Sequence, residues 1–157
     1  MRASAAARAR SAASVSDVWS VLADPQRWTE FEPFVKSVTL DPGARGDADS
    51  VAEGQRLRAQ LRLLPAAVPV EIEHIVNRSS LAATVKLFPG LAEEVEHLLI
   101  PSATGGSVLM VRIRLHGPLA LPALVPRWLA RSLSVRLLAR TAENALRARS
   151  RQVSSVA

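Results

Sequence analysis

Through the middle of the chain, apolar and polar residues alternate with a period of two, and near the end they switch to a helical period. From 55 to 63, Leu57, Ala59, Leu61 and Leu63 share one side and Arg56, Arg58, Gln60 and Arg62 the other. Residues 68–77 set Val68, Val70, Ile72, His74 and Val76 against Glu71 and Glu73, and residues 81–87 set Leu81, Ala83, Val85 and Leu87 against Thr84 and Lys86. Residues 93–99 put Val95, His97 and Leu99 opposite Glu94 and Glu96, and residues 108–117 put Leu109, Val111, Ile113 and Leu115 opposite Arg112 and Arg114. Such alternation predicts antiparallel strands with one wet and one buried side. Residues 34–40 read as a further strand and residues 4–13 as an edge strand with Arg8 and Arg10 outward. The Pro-, Gly- and acid-rich stretch 41–54 predicts a polar loop, and Gly105-Gly106 a hairpin turn.

Two short helices are predicted between the first strands. Ser14 and Asp17 have capping-box spacing ahead of Val15, Val18, Trp19 and Leu22, and Asp24-Pro25 stops that run. Trp28 and Phe31 then suit one more helical turn. After Gly117-Pro118 the pattern is helical again, with Pro126 fitting a first turn and a long helix running to Arg149, roughly 36 Å. Residues 150–157 read as a frayed tail. Leu124, Trp128, Val135, Leu138, Ala139, Ala142 and Leu146 share one face of this helix. Leu129, Leu133 and Leu137 lie almost opposite, which predicts burial on two sides.

The 157 residues fit one domain, 48% hydrophobic and 22% charged, which excludes a disordered tail. The net charge of +6 has a single source: residues 127–151 hold seven arginines against one acid, Glu143, and the rest of the chain balances. Arg136, Arg140, Arg147 and Arg151 are expected along one flank of the helix and Arg127, Arg131 and Arg149 along the other. This charge reads either as compositional bias toward Arg or as a surface that meets phosphate. Without cysteine, disulfides and thiolate chemistry are excluded. The first 14 residues lack a secretory apolar core and no run approaches a membrane span, so an intracellular, cytoplasmic protein is the expectation.

An antiparallel sheet with one apolar face must bend around the long helix, and a helix touching part of a concave face leaves a cavity. The expected lining is apolar: Leu57 and Leu61, Val70 and Ile72, and Ala83 and Val85 from successive strands. Val95 and Leu99, then Val111, Ile113 and Leu115, continue it, with Trp128 from the helix. It would suit a hydrophobic small molecule. Val18-Trp19, Asp24-Pro25, Trp28, Phe31 to Val38, the Gly105-Gly106 hairpin and Arg112 to Leu119 are similar to the START/polyketide cyclase (SRPBCC) superfamily over about residues 5–150. The resemblance implies an α+β helix-grip fold: a curved antiparallel sheet of six to seven strands around a long C-terminal helix, with two short helices after the first strand. It also implies a polyketide-like or lipid ligand. The superfamily contains cyclases, dehydratases, lipid carriers and ligand sensors, so it does not choose between holding the ligand and transforming it.

Histidines are the groups that titrate near neutrality. His74 and His97 both fall on expected inward faces, with backbones roughly 10 Å apart across one intervening strand. As a pair they could serve as general acid and base for ring closure or dehydration. Singly, each reads as a buried polar group satisfied by backbone or water. Glu93 shares the face of His97 and is expected at the cavity rim, while His116 is expected outward with Arg112 and Arg114. Glu94 and His97 have the Glu-x-x-His spacing of helical metal sites, but on a strand they point to opposite faces, so no metal is expected, nor any cofactor. Phosphate-loop and nucleophile-elbow motifs are absent, and no aromatics interleave the arginines, which argues against nucleic acid. Three expectations stand: a carrier of a hydrophobic small molecule, a cyclase or dehydratase, and a lipid-handling protein docking on anionic membranes through its arginine helix. The leucines opposite Trp128 also fit a homodimer contact.

Overall fold

A computed structural model describes residues 1–47 and 49–156, with side chains through Ser154; Ala48 of the polar loop and the terminal Ala157 lie outside the described residues. The elements run β1 (Arg2–Ser11), α1 (Val15–Leu22), a 3-10 turn (Pro25–Arg27), α2 (Trp28–Phe31), β2 (Val35–Leu40), β3 (Arg56–Leu61), β4 (Ala67–Val76), β5 (Ser80–Phe88), β6 (Leu91–Pro101), β7 (Ser107–His116) and α3 (Ala120–Val156). The strands form one curved antiparallel sheet in the order β1-β7-β6-β5-β4-β3-β2. β1 pairs with β7 along its whole length, Arg2 opposite His116 and Ser11 opposite Ser107. The first two strands therefore occupy opposite edges, and α1, the 3-10 turn and α2 bridge them.

That bridge is fixed by local chemistry. The Asp17 amide donates to Ser14 Oγ at 3.1 Å and the Ser14 amide to Asp17 Oδ2 at 3.3 Å, a reciprocal capping box. The Ser14 hydrogen bond, with Arg149 adding to it, holds the Asp17 carboxyl below the usual carboxylate range against the opposing effect of burial. Arg149 Nη2 reaches Asp17 Oδ1 at 2.7 Å, tying α1 to α3. Asp24 caps the 3-10 turn through the Gln26 amide at 2.9 Å, and the Trp28 indole donates to the Leu22 carbonyl at 2.9 Å, so Trp28 is a core residue with a satisfied N–H.

α3 begins six residues before the expected start and continues to Val156, through the segment expected to fray. Pro122 falls in the first turn, where amides have no intrahelical acceptor, and Pro126 costs one internal bond that the remaining turns outweigh. At 37 residues the helix is about 55 Å long. It lies on β1 and β7: Ser11 Oγ donates to the Ala139 carbonyl at 3.1 Å, and the Ala12 amide donates to Glu143 Oε1 at 2.8 Å. Beneath it Val135, Leu138, Ala139 and Ala142 join Leu109, Val111, Ile113 and Leu115 in the core. The turn into α3 needs glycine, because Gly117 has φ +113° and a Cβ there would sit 2.0 Å from the Gly90 carbonyl oxygen.

Candidate functional site

Away from α3's contact with β7, the concave face encloses a cavity of about 70 Å3. Leu22, Trp28 and Phe31 close one side, Ala130 of α3 another, and the inward residues of β3 to β6 form the floor. Of the expected lining residues, Leu61, Val70, Ala83, Val85, Val95 and His97 face this space. Leu57, Ile72 and Leu99 are buried in solid core away from it. Val111, Ile113 and Leu115 are also packed away, because α3 covers β7 rather than standing off from it. Trp128 corrects its expectation: it is 40% exposed and its indole donates to the Ala6 carbonyl of edge strand β1 at 3.0 Å.

His74 is also corrected. A register shift between Ile72 and His74 inserts one residue against β5, so the alternation inverts there. Its side chain, 65% exposed, turns outward, with Nδ1 2.9 Å from Glu53 Oε1. The two histidines are not brought together. His116 faces outward as expected, with Nε2 2.8 Å from Glu94 Oε1.

Glu93, expected at a rim, is fully buried. Arg131 Nε donates to its Oε1 at 2.7 Å and Arg127 Nε to its Oε2 at 2.6 Å. Arg131 Nη1 donates to Glu32 Oε1 at 2.6 Å, and Ser134 Oγ donates to the same oxygen at 2.8 Å. Two arginines expected along one flank of the helix therefore point inward, and, bound to the buried Glu93, they close one end of the cavity together with Glu32. The available signal was the four-residue spacing of Arg127 and Arg131, together with the parity Glu93 shares with Val95.

A sequence model of the family described as "Polyketide cyclase / dehydrase and lipid transport" matches residues 2–152. The chain belongs to this family. No curated protein matches the sequence. Among solved structures, the crystal structure of Ara h 8.0201 is similar with a TM-score of 0.68, at 14% identity, covering 90% of this chain and 98% of that one. At that identity the likeness concerns the helix-grip fold, which the chain shares.

In this member of the polyketide cyclase / dehydrase and lipid transport family, the polar end of the cavity is electrostatically closed. Burial alone would raise the Glu93 carboxyl, but Arg131 and Arg127 outweigh it and hold it below the usual carboxylate range. Burial opposes the Arg131 charge, and Glu32 and Glu93 overcome that and push its pKa above the ordinary value. His97 is different. Burial first, and the Arg131 charge second, lower its pKa from 6.5 to about 3, so the imidazole is neutral. Among the described residues neither ring nitrogen has a hydrogen-bond partner. Among the described residues no group of three or more His, Asp or Glu side chains could hold a metal ion.

The outer face of α3 carries exposed Leu121, Val125, Leu129 and Leu133, followed by exposed Arg136, Arg140, Arg147 and Arg151. Leu129 and Leu133 were expected to be covered on this side, and within the chain they are not. No helix among the described residues is long and apolar enough to cross a membrane.

Proposed function

We propose that the chain carries a hydrophobic small molecule, polyketide-like or lipid, between the sheet and α3. The supporting observation is a cavity walled by Leu61, Val70, Ala83, Val85 and Val95, whose charged neighbours are already paired with one another. Pockets for such ligands measure roughly 300–1,000 Å3, so the walls move apart when one enters. Half-exposed Phe34 and Leu61 stand at the edge that gives way. Titration with the neutral fluorophore phenylnaphthylamine tests this: saturable fluorescence at one site supports the carrier, and its absence argues against it. Native mass spectrometry of gently purified protein would give the natural ligand's mass.

The cyclase or dehydratase alternative draws less support, since only His97 of the proposed acid–base pair lines the cavity. Loss of turnover with binding intact in His97→Ala would favour it.

A second reading, docking on anionic membranes, is favoured by the exposed leucines that run directly into exposed arginines, unpaired among the described residues, on one face of α3. Leucines would enter the interface while arginines meet headgroup phosphates. Flotation with phosphatidylserine vesicles that fades at high salt supports it. A salt-independent dimer in sedimentation, without flotation, would assign that face to a second copy instead.

A further inference from the structure

This inference rests on the ligand-binding reading and specifies the ligand's chemistry. His97 is 6% exposed and lines the cavity, and its Nδ1 and Nε2 are both buried without partners. A neutral imidazole has one donor and one acceptor, and buried polar atoms left unpaired are costly enough that native proteins seldom keep them. The neighbouring charges do not meet this need. Arg131 is committed to Glu93 and Glu32, Arg127 to Glu93, and Ser134 to Glu32.

The charges of these four ionised groups cancel. An added carboxylate would bring an uncompensated negative charge into a buried place, and an ammonium group an uncompensated positive one. A hydroxyl or carbonyl adds no charge and can bond the ring. Burial, together with the nearby Arg131, keeps that ring neutral, so it does not supply a counter-ion of its own.

We propose that the cavity selects an uncharged amphipathic ligand, whose hydroxyl or carbonyl group hydrogen-bonds His97 while its apolar body lies along Val70, Ala83, Val85 and Val95. The site thereby rejects the corresponding carboxylate. A free fatty acid is a poor ligand, and an alcohol, ketone or neutral polycycle a good one.

Displacement of phenylnaphthylamine by octanol, octanoate and octane at neutral pH tests this. In the wild type, octanol should displace at roughly tenfold or more lower concentration than octanoate. His97→Leu should weaken octanol by roughly tenfold and leave octane unchanged, and His97→Gln, which keeps a donor and an acceptor, should retain the octanol affinity. Nitrogen NMR of the wild-type His97 ring should shift with octanol and not with octane, which reads the contact without any variant. Octanoate binding as tightly as octanol, or octanol and octane responding alike to His97→Leu, would overturn the polar anchor and leave the carrier reading standing. No binding of phenylnaphthylamine or of any of the three would overturn both.

Discussion

Arg131 of α3 and Glu93 of β6 meet at 2.7 Å in the interior, with neither side chain more than 9% exposed. The contact links the helix to the centre of the sheet at the point where the cavity ends. Removing one partner leaves the other's charge buried, which costs about 3–5 kcal/mol. Arg131→Met should therefore lower stability by about that amount in urea unfolding. Adding Glu93→Leu should destabilise by less than the sum of the two single changes, since the pair acts as a unit.

Acid should destabilise the protein through His97. Its folded-state pKa of about 3 lies below its unfolded value of 6.5, so between them the unfolded chain binds the extra proton. The neutral ring carries no such penalty above 6.5, and stability falls steadily as pH drops through that window. Glu93 adds a loss of the same sign, because its depressed pKa contributes stability above the unfolded value that disappears as pH falls through the folded one. In His97→Leu the part of the slope between 6.5 and the carboxylate range should vanish. Urea midpoints measured across that range would show it.

Gly117→Ala should cost roughly 1–3 kcal/mol or more. It combines a left-handed φ of +113° with a Cβ 2.0 Å from the Gly90 carbonyl oxygen. Gly43→Ala, with φ +80° and nothing within 4 Å, should cost about 1 kcal/mol. Comparing the two thermal midpoints separates the close approach from backbone strain alone.

Ala83→Phe should abolish phenylnaphthylamine binding, because Ala83 lies in the cavity floor and the ring would occupy the space. The cost of overpacking is about 1–3 kcal/mol. A folded variant, by circular dichroism, that still binds the probe with wild-type affinity would place the ligand elsewhere.

Period-two alternation was enough to read the strands, since Leu57 and Ala59, or Leu109 to Leu115, follow one parity for the length of each strand. It failed at His74, where one inserted residue reverses the parity of β4 and nothing in the local composition marks it. The long helix starts six residues before the turn that Pro126 predicts, because Pro122 lies in the first turn, where a proline is tolerated. Glu93, Arg127 and Arg131 were assigned to rim and surface because single charges carry no sign of their partners. Their burial follows from pairing across 34 and 38 residues, which only the fold brings about. For the cavity, alternation distinguished inside from outside but not covered from uncovered, hence the solid packing of Val111, Ile113 and Leu115 under α3.

An interior void of about 70 Å3 has a kinetic corollary. A guest of ordinary size enters only during excursions in which the walls stand apart, so its apparent affinity is discounted by the rarity of those excursions. If they are slow, uptake at high guest concentration levels off at the rate of the protein's own breathing, and chemically different guests converge on the same plateau.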